Sequence, residues 1–432
     1  MNDAMTSGLA VAVPSARRVG RAESVLADVA IRLPDRRDNL DALVRIATPE
    51  ISYKVRICDT GTELIPDDGK PVASELTASV EAWESVVAGE FNVLEAVDAG
   101  LMTIRGNVHL AMDFGGMMIS DTPYSWHYNV DRVKVGKLKV ARLVTTIPDS
   151  GHLSATDSPR DHRPVLVLHG LSATKSSMLP TIVGLAVDRE VHAIDHPGHG
   201  DSDKPYVSYS PSFLAGTVIR YLDAIGAEKV DLIGNSLGGR VSLEVAARWP
   251  DRVGRMVLYA PAMAPIKDRN LISLLRVVPS SIGMIPGIFT RGRAEMVIKS
   301  LLGGLDGAGQ SLIDAAVDDF LRIYSTAGAR RALYSALRGY LLADSFGEKG
   351  FWTNLPKIRS DALFVWGRHD DLVSWRYSRA TSQWIPHAVS VIFEDGGHVP
   401  QIEHPERTNK MTREFFDGVL PQPSPAVTVW NS

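Results

Sequence analysis

Short runs of apolar residues recur through the second half of the chain and constrain its fold more than any other feature. Most runs are followed by a turn rich in glycine or polar residues, and segments with helical spacing separate most of them. The runs are residues 165–168, 191–194, 230–233, 256–259, 362–366 and 389–393. Short, predominantly apolar runs of this kind are typical of parallel strands that are buried on both faces. The sequence therefore predicts an α/β protein with a mostly parallel sheet covered by helices.

This rhythm is interrupted once, between Pro265 and Lys349. The interval is rich in leucine, and its apolar residues have helical spacing. We therefore predict a helical lid over the strand ends at about residues 265–350.

Two further patterns set the limits of this predicted domain at residues 121–418. Apolar residues alternate from Trp126 to Leu143, which predicts an antiparallel hairpin at the start of the sheet. Residues 419–432 contain several prolines and are predicted to form a flexible tail.

The N-terminal part of the chain has a different pattern. Residues 1–21 are small and polar and are predicted to be flexible. Apolar residues from Ala22 to Ile46 recur at roughly helical spacing, whereas residues 51–57 alternate strictly, as in a half-buried strand. A helix followed by a strand is therefore expected at the start of this part.

The pattern continues with a helix around Trp83 that is expected to stop at Gly89. Residues 101–105 and 108–112 are predicted to be two strands joined by a tight turn. Residues 22–120 therefore form a small predicted α+β domain.

Composition excludes several classes of function. Lysine and arginine total 46 and aspartate and glutamate total 50, so the net charge is −4 and no basic excess favours nucleic-acid binding. Cys58 is the only cysteine, which excludes an intrachain disulfide and a thiolate metal cluster. No apolar stretch is long enough for a membrane-spanning helix or a signal-peptide core, so a cytoplasmic location is expected.

The sequence Gly-Asn-Ser-Leu-Gly-Gly at residues 234–239 is the clearest catalytic pattern. A predicted buried strand precedes it and a helical segment follows, which is the context of a nucleophile elbow. Small glycines permit the tight turn and leave Ser236 at its apex. The free amides at the start of the helix, with that of Leu237 first, are then expected to face a developing oxyanion.

A serine hydroxyl needs a positioned base to act as a nucleophile near neutral pH. His398 follows the last predicted parallel strand, and Asp370 follows the strand before it. The order Ser, Asp, His and the location of all three at carboxyl ends of strands fit a hydrolase site. Asp371 is the alternative acid.

A second oxyanion donor is expected in the turn after the first parallel strand, which begins His-Gly-Leu at residue 169. The backbone amide of Leu171 is the predicted donor. The alternative is an ordinary turn at the end of a strand.

Residues 125–418 resemble the α/β-hydrolase fold superfamily of lid-bearing enzymes. The resemblance is carried by His169-Gly170, by the segment 195–205, by the elbow at 234–239, by the segment 366–370 and by Gly397-His398 with Glu403 to Pro405. It implies a Ser236, His398 and Asp370 triad and no cofactor. The elbow is also similar to that of the carbon–carbon hydrolases of aromatic-ring degradation, although those carry tryptophan after the catalytic histidine and Val399 stands here.

The cluster of His192, His196 and His199 with Asp195 and Asp201 could suggest a metal site. In the resembling family this turn has a structural role, so no metal is predicted.

The N-terminal domain is similar to the sterol-carrier-protein-like lipid-transfer domain. The similarity is carried by residues 75–114, with Trp83, Gly89, Gly100 and Gly106-Asn107 in the expected order. It implies lipid binding in an apolar tunnel. An oligomerisation or docking module and a structural appendage are the alternatives.

These features predict a serine hydrolase that cleaves a hydrophobic ester, thioester or lactone through an acyl-enzyme. The alternatives are a carbon–carbon hydrolase of ring-fission diketones and a non-enzymatic lipid carrier. The expected partner is a hydrophobic or lipid-like small molecule, and the sequence does not determine the oligomeric state.

Overall fold

The computed structural model describes residues 16–31, 42–58, 61–117, 126–146, 163–264, 290–301, 310–385 and 387–431. The described residues form two sheets, one of five strands and one of nine. We call the described residues up to 117 the N-terminal domain and those from 126 onward the C-terminal domain. No helix in these ranges is both long and apolar enough to span a membrane.

The five-stranded sheet belongs to the N-terminal domain and has the order β3-β2-β1-β4-β5. Its strands are β1 (Ala42–Ala47), β2 (Ser52–Cys58), β3 (Gly61–Pro66), β4 (Ser74–Ala78) and β5 (Met102–Gly106). The helices of this domain are α1 (Ala16–Ile31), α2 (Val80–Ala88), α3 (Val93–Asp98) and α4 (Val108–Met117). The small α+β domain expected from the sequence therefore contains a complete sheet with its own buried core around Trp83.

Two predicted elements of the N-terminal domain are wrong. The helical pattern was expected to continue to Ile46, but residues 42–47 form β1, in which buried Val44 and Ile46 alternate with less buried Leu43 and Arg45. β1 lies inside the sheet, antiparallel to β2 and parallel to β4, and this pairing favours the extended form.

The second strand predicted at residues 108–112 is instead the first part of α4. Asn107 begins this helix, because its side chain accepts a hydrogen bond from the amide of Leu110 at 3.1 Å. Asparagine is a favoured N-cap residue, so Gly106-Asn107 joins a strand to a helix and not to another strand.

The predicted flexible N-terminus, residues 1–21, also needs correction over its last part. Residues 1–15 lie outside the described ranges, but α1 begins at Ala16. Arg21 makes ion pairs with Glu81 and Glu84 of α2, which attach α1 to the rest of the domain.

The nine-stranded sheet has the order β14-β13-β12-β11-β10-β8-β9-β7-β6. Its strands are β6 (His127–Val135), β7 (Leu138–Thr146), β8 (Val165–Leu168), β9 (Val191–Ile194), β10 (Val230–Asn235), β11 (Val253–Tyr259), β12 (Ala362–Gly367), β13 (Ala388–Phe393) and β14 (Val427–Asn431). The six strands from β8 to β13 are parallel, and β6 and β7 form the predicted antiparallel hairpin. The predicted α/β fold is confirmed.

Helices cover both faces of this sheet. The helices of the C-terminal domain, including three that form the lid described below, are α5 (Leu179–Ala186), α6 (Pro211–Ile225), α7 (Leu237–Arg248), α8 (Arg291–Leu301), α9 (Gln310–Ile323), α10 (Ala327–Leu341), α11 (Phe351–Asn354), α12 (Tyr377–Trp384), α13 (Pro400–Glu403) and α14 (Pro405–Phe416). Successive residues of β8 alternate between two buried clusters, one against α6 and α7 and the other against α5 and α14. This burial on both faces explains why the parallel strands are predominantly apolar, with few polar residues such as His192 and Asp231.

The helices α8, α9 and α10 lie in the interval for which a lid was predicted, and we call them the helical lid. Residues 265–289 and 302–309 of that interval lie outside the described ranges. The lid follows β11 in the chain and precedes β12, so it is an insertion between two neighbouring strands.

The tail predicted to be flexible at residues 419–432 is corrected by β14. This strand pairs antiparallel with β13, and the side chain of Thr428 donates a hydrogen bond to Glu394 at 2.7 Å. The prolines stand before the strand and do not interrupt its ladder, and the alternating Val427 and Val429 pack against the core.

The two domains share part of one hydrophobic core. Leu94 of α3 and Met112 of α4 belong to the same buried cluster as Val165 of β8 and Ile182 of α5. In addition, the indole nitrogen of Trp126 donates to the Glu95 carboxylate at 2.9 Å. The N-terminal domain is thus packed directly onto the C-terminal domain.

The N-terminal domain also contacts the helical lid. Arg105 of β5 lies 2.7 Å from Asp318 and 3.5 Å from Asp314, both on α9. Arg291 of α8 contacts the same two aspartates at 2.6 and 3.2 Å. An arginine from each domain therefore shares one pair of carboxylates.

Candidate active site

Ser236 stands at the sharp turn from β10 into α7. Its backbone has φ 50° and ψ −112°, a conformation that non-glycine residues rarely adopt. The Ser236 amide donates to Tyr259 O of β11 at 2.9 Å, and this bond holds the turn against the neighbouring strand.

The glycines around Ser236 are required by close backbone contacts. A Cβ atom on Gly234 would lie 2.5 Å from Gly238 C, and one on Gly238 would lie 2.1 Å from Leu168 O. Neither contact leaves room for a side chain, so the elbow sequence is set by packing as well as by backbone conformation.

His398 and Asp370 lie together at the neighbouring strand ends. His398 Nδ1 is 2.9 Å from Asp370 Oδ2, and both side chains are buried. The other carboxylate oxygen of Asp370 accepts from the amides of Leu372 and Val373, each at 2.8 Å. Asp371, the alternative acid, is exposed. The carboxylate of Asp370 therefore fixes the orientation of the imidazole.

Two residues that sequence reasoning left without a role hold the His398 loop. Glu403 accepts hydrogen bonds from the amide of Gly397 and, at 3.0 Å, from that of Val399, the residues on either side of His398. The Asn235 side-chain amide donates to Tyr259 O at 3.1 Å and to His398 O at 3.2 Å. Asn235 lies in the elbow sequence at 234–239 and Glu403 in the segment Glu403 to Pro405. Their presence in these motifs was the only indication in the sequence that they have a role.

The turn that carries Leu171 passes directly beside Ser236. A Cβ atom added to Gly170 would lie 3.3 Å from the Ser236 Cβ atom. The imidazole of His169 is fully buried; its Nδ1 donates to Gly170 O at 2.7 Å, and its Nε2 accepts from the His196 amide at 3.0 Å. Burial lowers the pKa of His169, which keeps this neutral form.

Leu237 is the first residue of α7, and first-turn amides have no partner within their own helix. Its backbone therefore begins a helix whose amino end points toward Ser236. The structure thus brings Ser236, Leu237, Leu171 and His398 to the lining of one cavity, with Asp370 behind His398.

This cavity has a volume of about 850 Å³ and a mostly apolar lining. Three parts of the molecule contribute to it: the strand ends and loops of the C-terminal domain, the helical lid and the N-terminal domain. Lid residues in the lining are Ile298, Ala315, Ala316, Asp319, Phe320, Ile323, Leu337 and Tyr340. The size is near the upper end of the range for small-molecule sites.

A buried ionic cluster joins the same three parts beside the cavity. Lys175 Nζ lies 2.8 Å from Asp195 Oδ2 and 2.8 Å from Nδ1 of His109 on α4. Burial, followed by the charge of Lys175, lowers the pKa of His109 to about 4, so its imidazole is neutral and accepts from the ammonium. Burial alone would raise the pKa of Asp195, but the Lys175 ammonium holds it well below its usual value.

The cluster extends into the lid through Arg322 of α9. Arg322 lies 3.0 Å from Asp201 and 2.9 Å from Asp319, and Asp319 also accepts from Thr174 at 3.4 Å. Burial raises the pKa of Asp319, which lines the cavity. An ion pair and a hydrogen bond thus connect α9 of the lid to the loops that carry Thr174 and Asp201.

His109, Asp195 and Asp201 offer ligand atoms within 4.8 Å of one another, as a metal site would. The positive charge in contact with His109 and Asp195 is the Lys175 ammonium, which is hydrogen-bonded to both. The arrangement is therefore satisfied by side chains of the protein itself.

Of the three histidines that could have suggested a metal site, the structure keeps His196 and His199 together and places His192 elsewhere. His196 and His199 pack against the His169 ring at centroid distances of 4.8 and 5.4 Å. His192 is bonded elsewhere, to Tyr221 and Glu190 at 2.8 and 2.6 Å.

Comparison with known proteins agrees with this architecture. A family model described as alpha/beta hydrolase fold matches residues 163–405. The 2-hydroxymuconate semialdehyde hydrolase of Pseudomonas putida is 27% identical over 264 residues, which cover 59% of this chain and 86% of that protein. A monoacylglycerol lipase of Xenopus laevis is 25% identical over 278 residues, covering 62% of this chain and 79% of the lipase.

Solved structures show the same fold. A membrane phospholipase A described as a bacterial virulence factor has a TM-score of 0.54 and 23% identity, covering 76% of this chain and 93% of its own. Carboxylesterase CesB of Bacillus subtilis has a TM-score of 0.51 and 20% identity, covering 68% and 93%. Since the family match spans more than half of the 432 residues, the chain belongs to the α/β hydrolase fold family.

Proposed function

We propose that the protein is a serine hydrolase that cleaves hydrophobic carboxylic esters, with thioesters and lactones as related substrates. Ser236 is the nucleophile, His398 the general base and Asp370 the acid that orients it. The observation that carries the proposal is the 2.9 Å contact between His398 and a fully bonded Asp370 carboxylate, next to Ser236 in an apolar cavity.

The first step forms an acyl-enzyme. Asp370 accepts only, so His398 Nδ1 carries the proton and Nε2 is free to take the proton of the Ser236 hydroxyl. Ser236 Oγ then attacks the carbonyl carbon, and His398 passes the proton to the leaving alcohol. Water, activated by the same imidazole, releases the acid in the second step.

Two backbone amides are proposed to bind the oxyanion of the tetrahedral intermediate. The Leu237 amide is at the amino end of α7, where the helix dipole favours negative charge. The Leu171 amide is in the turn that passes beside Ser236. Amides in these positions stabilise charge that appears only during the reaction.

The cavity lining favours an uncharged, apolar substrate. Among the described lining residues there is no lysine or arginine, and the acidic Asp98 and Asp319 are present. An anionic substrate would meet no compensating cation there.

Carbon–carbon hydrolysis is the second candidate, and the relative from Pseudomonas putida favours it. Its ring-fission substrate carries a carboxylate, which the lining just described disfavours. Similarity to that relative thus supports this candidate, while similarity to the monoacylglycerol lipase and the charge of the cavity support the ester hydrolase.

A fluorophosphonate probe and a substrate panel test the proposal. The probe should label the protein at Ser236, and Ser236→Ala should abolish labelling. Chromogenic esters should be cleaved faster than a ring-fission diketone. Faster cleavage of the diketone would establish the second candidate, and a protein that neither reacts with the probe nor turns over any substrate would contradict both enzymes and favour the non-enzymatic alternative.

A further inference from the structure

We propose that the N-terminal domain binds the acyl chain of the substrate and thereby sets the chain length that the enzyme prefers. The proposal is an extension of the serine hydrolase function proposed above and assigns its substrates to esters of medium or long unbranched acids. It makes the N-terminal domain part of the substrate site, although all proposed catalytic residues are in the C-terminal domain.

The N-terminal domain forms a mostly apolar part of the cavity wall. Eight residues of the N-terminal domain line the cavity that contains Ser236 and His398. They are Val97, Asp98, Gly100, Met102, Thr103, Ile104, Val108 and Met112. They come from α3, the loop after it, the edge strand β5 and the start of α4. Most of these side chains are apolar, so this wall suits a hydrocarbon chain.

Val97 and Val108 lie at the boundary between the two domains. Both valines are half-buried and pack against two clusters, the core of the N-terminal domain and the core that it shares with the C-terminal domain. They therefore lie where the two domains meet, and both line the cavity. A larger side chain at either position would take space from the cavity.

This wall is firmly attached to the C-terminal domain and its lid. Buried Leu94 and Met112 pack into the shared core, while Arg105 and His109 contact lid aspartates and Lys175. A domain held in this way acts as a wall of the site, whereas a separate carrier would need to move away from it. A wall made of closely packed side chains limits the length of chain that fits.

The volume permits a chain longer than that of a short soluble ester. The cavity holds about 850 Å³, whereas small-molecule sites begin at about 300 Å³. Each methylene that leaves water on binding should raise kcat/KM by about fourfold until the chain reaches the wall. Activity should therefore rise with chain length and then fall.

The experiment measures kcat/KM for 4-nitrophenyl esters from acetate to palmitate. The test variants are Val97→Phe and Val108→Phe, and the matched control is Val87→Phe. Val87 is also a half-buried valine of the N-terminal domain, but it faces a surface hollow between α1 and α2. In the two test variants, the laurate-to-acetate ratio of kcat/KM should fall at least tenfold, whereas the control should keep the wild-type ratio.

A second variant covers the case in which phenylalanine disturbs folding. The double variant Val97→Ala with Val108→Ala removes volume from the wall and should move the preferred chain length upward. An unchanged chain-length profile in the phenylalanine variants or in the folded alanine variant would overturn the proposal, because the chain would then bind along another wall. Absence of probe labelling and of all ester cleavage in the wild type would instead refute the serine hydrolase.

Discussion

The two domains contribute different kinds of residues to the candidate site. In the C-terminal domain, Ser236, Asp370 and His398 are concentrated at one edge of the sheet, beyond the carboxyl ends of β10, β12 and β13. The described residues of the N-terminal domain include no candidate catalytic group, but its edge strand β5 and helices α3 and α4 form a wall of the same cavity. The comparison indicates that chemistry requires a few side chains fixed by one sheet, whereas recognition of an apolar chain can be distributed over an interface.

The largest effect is expected from replacing the proposed nucleophile, Ser236, in the C-terminal domain. Ser236→Ala should lower kcat by roughly 10⁵- to 10⁶-fold, because no other hydroxyl is positioned by the elbow. Ser242→Ala is the control, since Ser242 is buried in α7, the helix that follows the elbow, and donates to Gly238 O at 2.9 Å. Steady-state ester hydrolysis measures both, and near-native turnover in Ser236→Ala would contradict the assignment.

The acid is the next test within the C-terminal domain. Asp370→Asn should slow turnover on the order of 10⁴-fold, because an amide favours the wrong tautomer of His398. Asp371→Asn should change turnover little, since Asp371 is exposed. If the two variants showed the opposite order, the acid would be Asp371.

The shared core tests whether the domains are separable. Leu94→Ala and Leu26→Ala each remove a fully buried leucine of the N-terminal domain and should each cost about 2–5 kcal/mol of unfolding free energy. Leu94 belongs to the shared cluster and Leu26 to the cluster of the N-terminal domain alone. Hydrogen exchange should therefore increase in β8 and α5 only for Leu94→Ala. An increase confined to the N-terminal domain in both variants would show that the interface contributes little.

The ionic cluster predicts a smaller effect that depends on pH. The pKa of His109 is lowered to about 4 in the folded protein from an ordinary value of 6.5, so the unfolded chain binds more protons between these limits. Stability is therefore lost as the pH falls from 6.5 towards 4, by up to about 1.4 kcal/mol per pH unit for this group. His109→Gln should make the free energy of urea unfolding less steep over that range. A slope equal to that of the wild type would show that His109 does not contribute.

The strands and candidate site residues of the C-terminal domain could be predicted from the sequence more fully than the elements of the N-terminal domain. Its parallel strands are buried on both faces, so each appears as an apolar run, and Ser236, Asp370 and His398 follow such runs directly. In the N-terminal domain, Val44 and Val108 stand in short apolar segments that fit a helix or a strand equally well. The segment of Val44 is a strand because β1 pairs with two neighbouring strands. The segment of Val108 is a helix because Asn107 caps its first turn.

The supports of the candidate site could not be predicted from local sequence. Asn235 contacts the backbone of His398, which is 163 residues away in the chain, and the contact exists only after the strands are assembled. The wall formed by Val97 and Val108 is likewise a product of domain packing. Spacing along the chain carries no information on which distant surfaces will meet.

The composite cavity has a consequence for how such an enzyme can diversify. Because the wall and the proposed catalytic residues belong to different domains, substitutions in α3, β5 or α4 would change the proposed substrate range while the elbow and the His398 loop stay intact. Most substitutions near a catalytic serine harm both binding and turnover, so they are seldom tolerated. A lineage carrying this arrangement can therefore explore new substrates by drift in its N-terminal domain at little risk to the reaction itself.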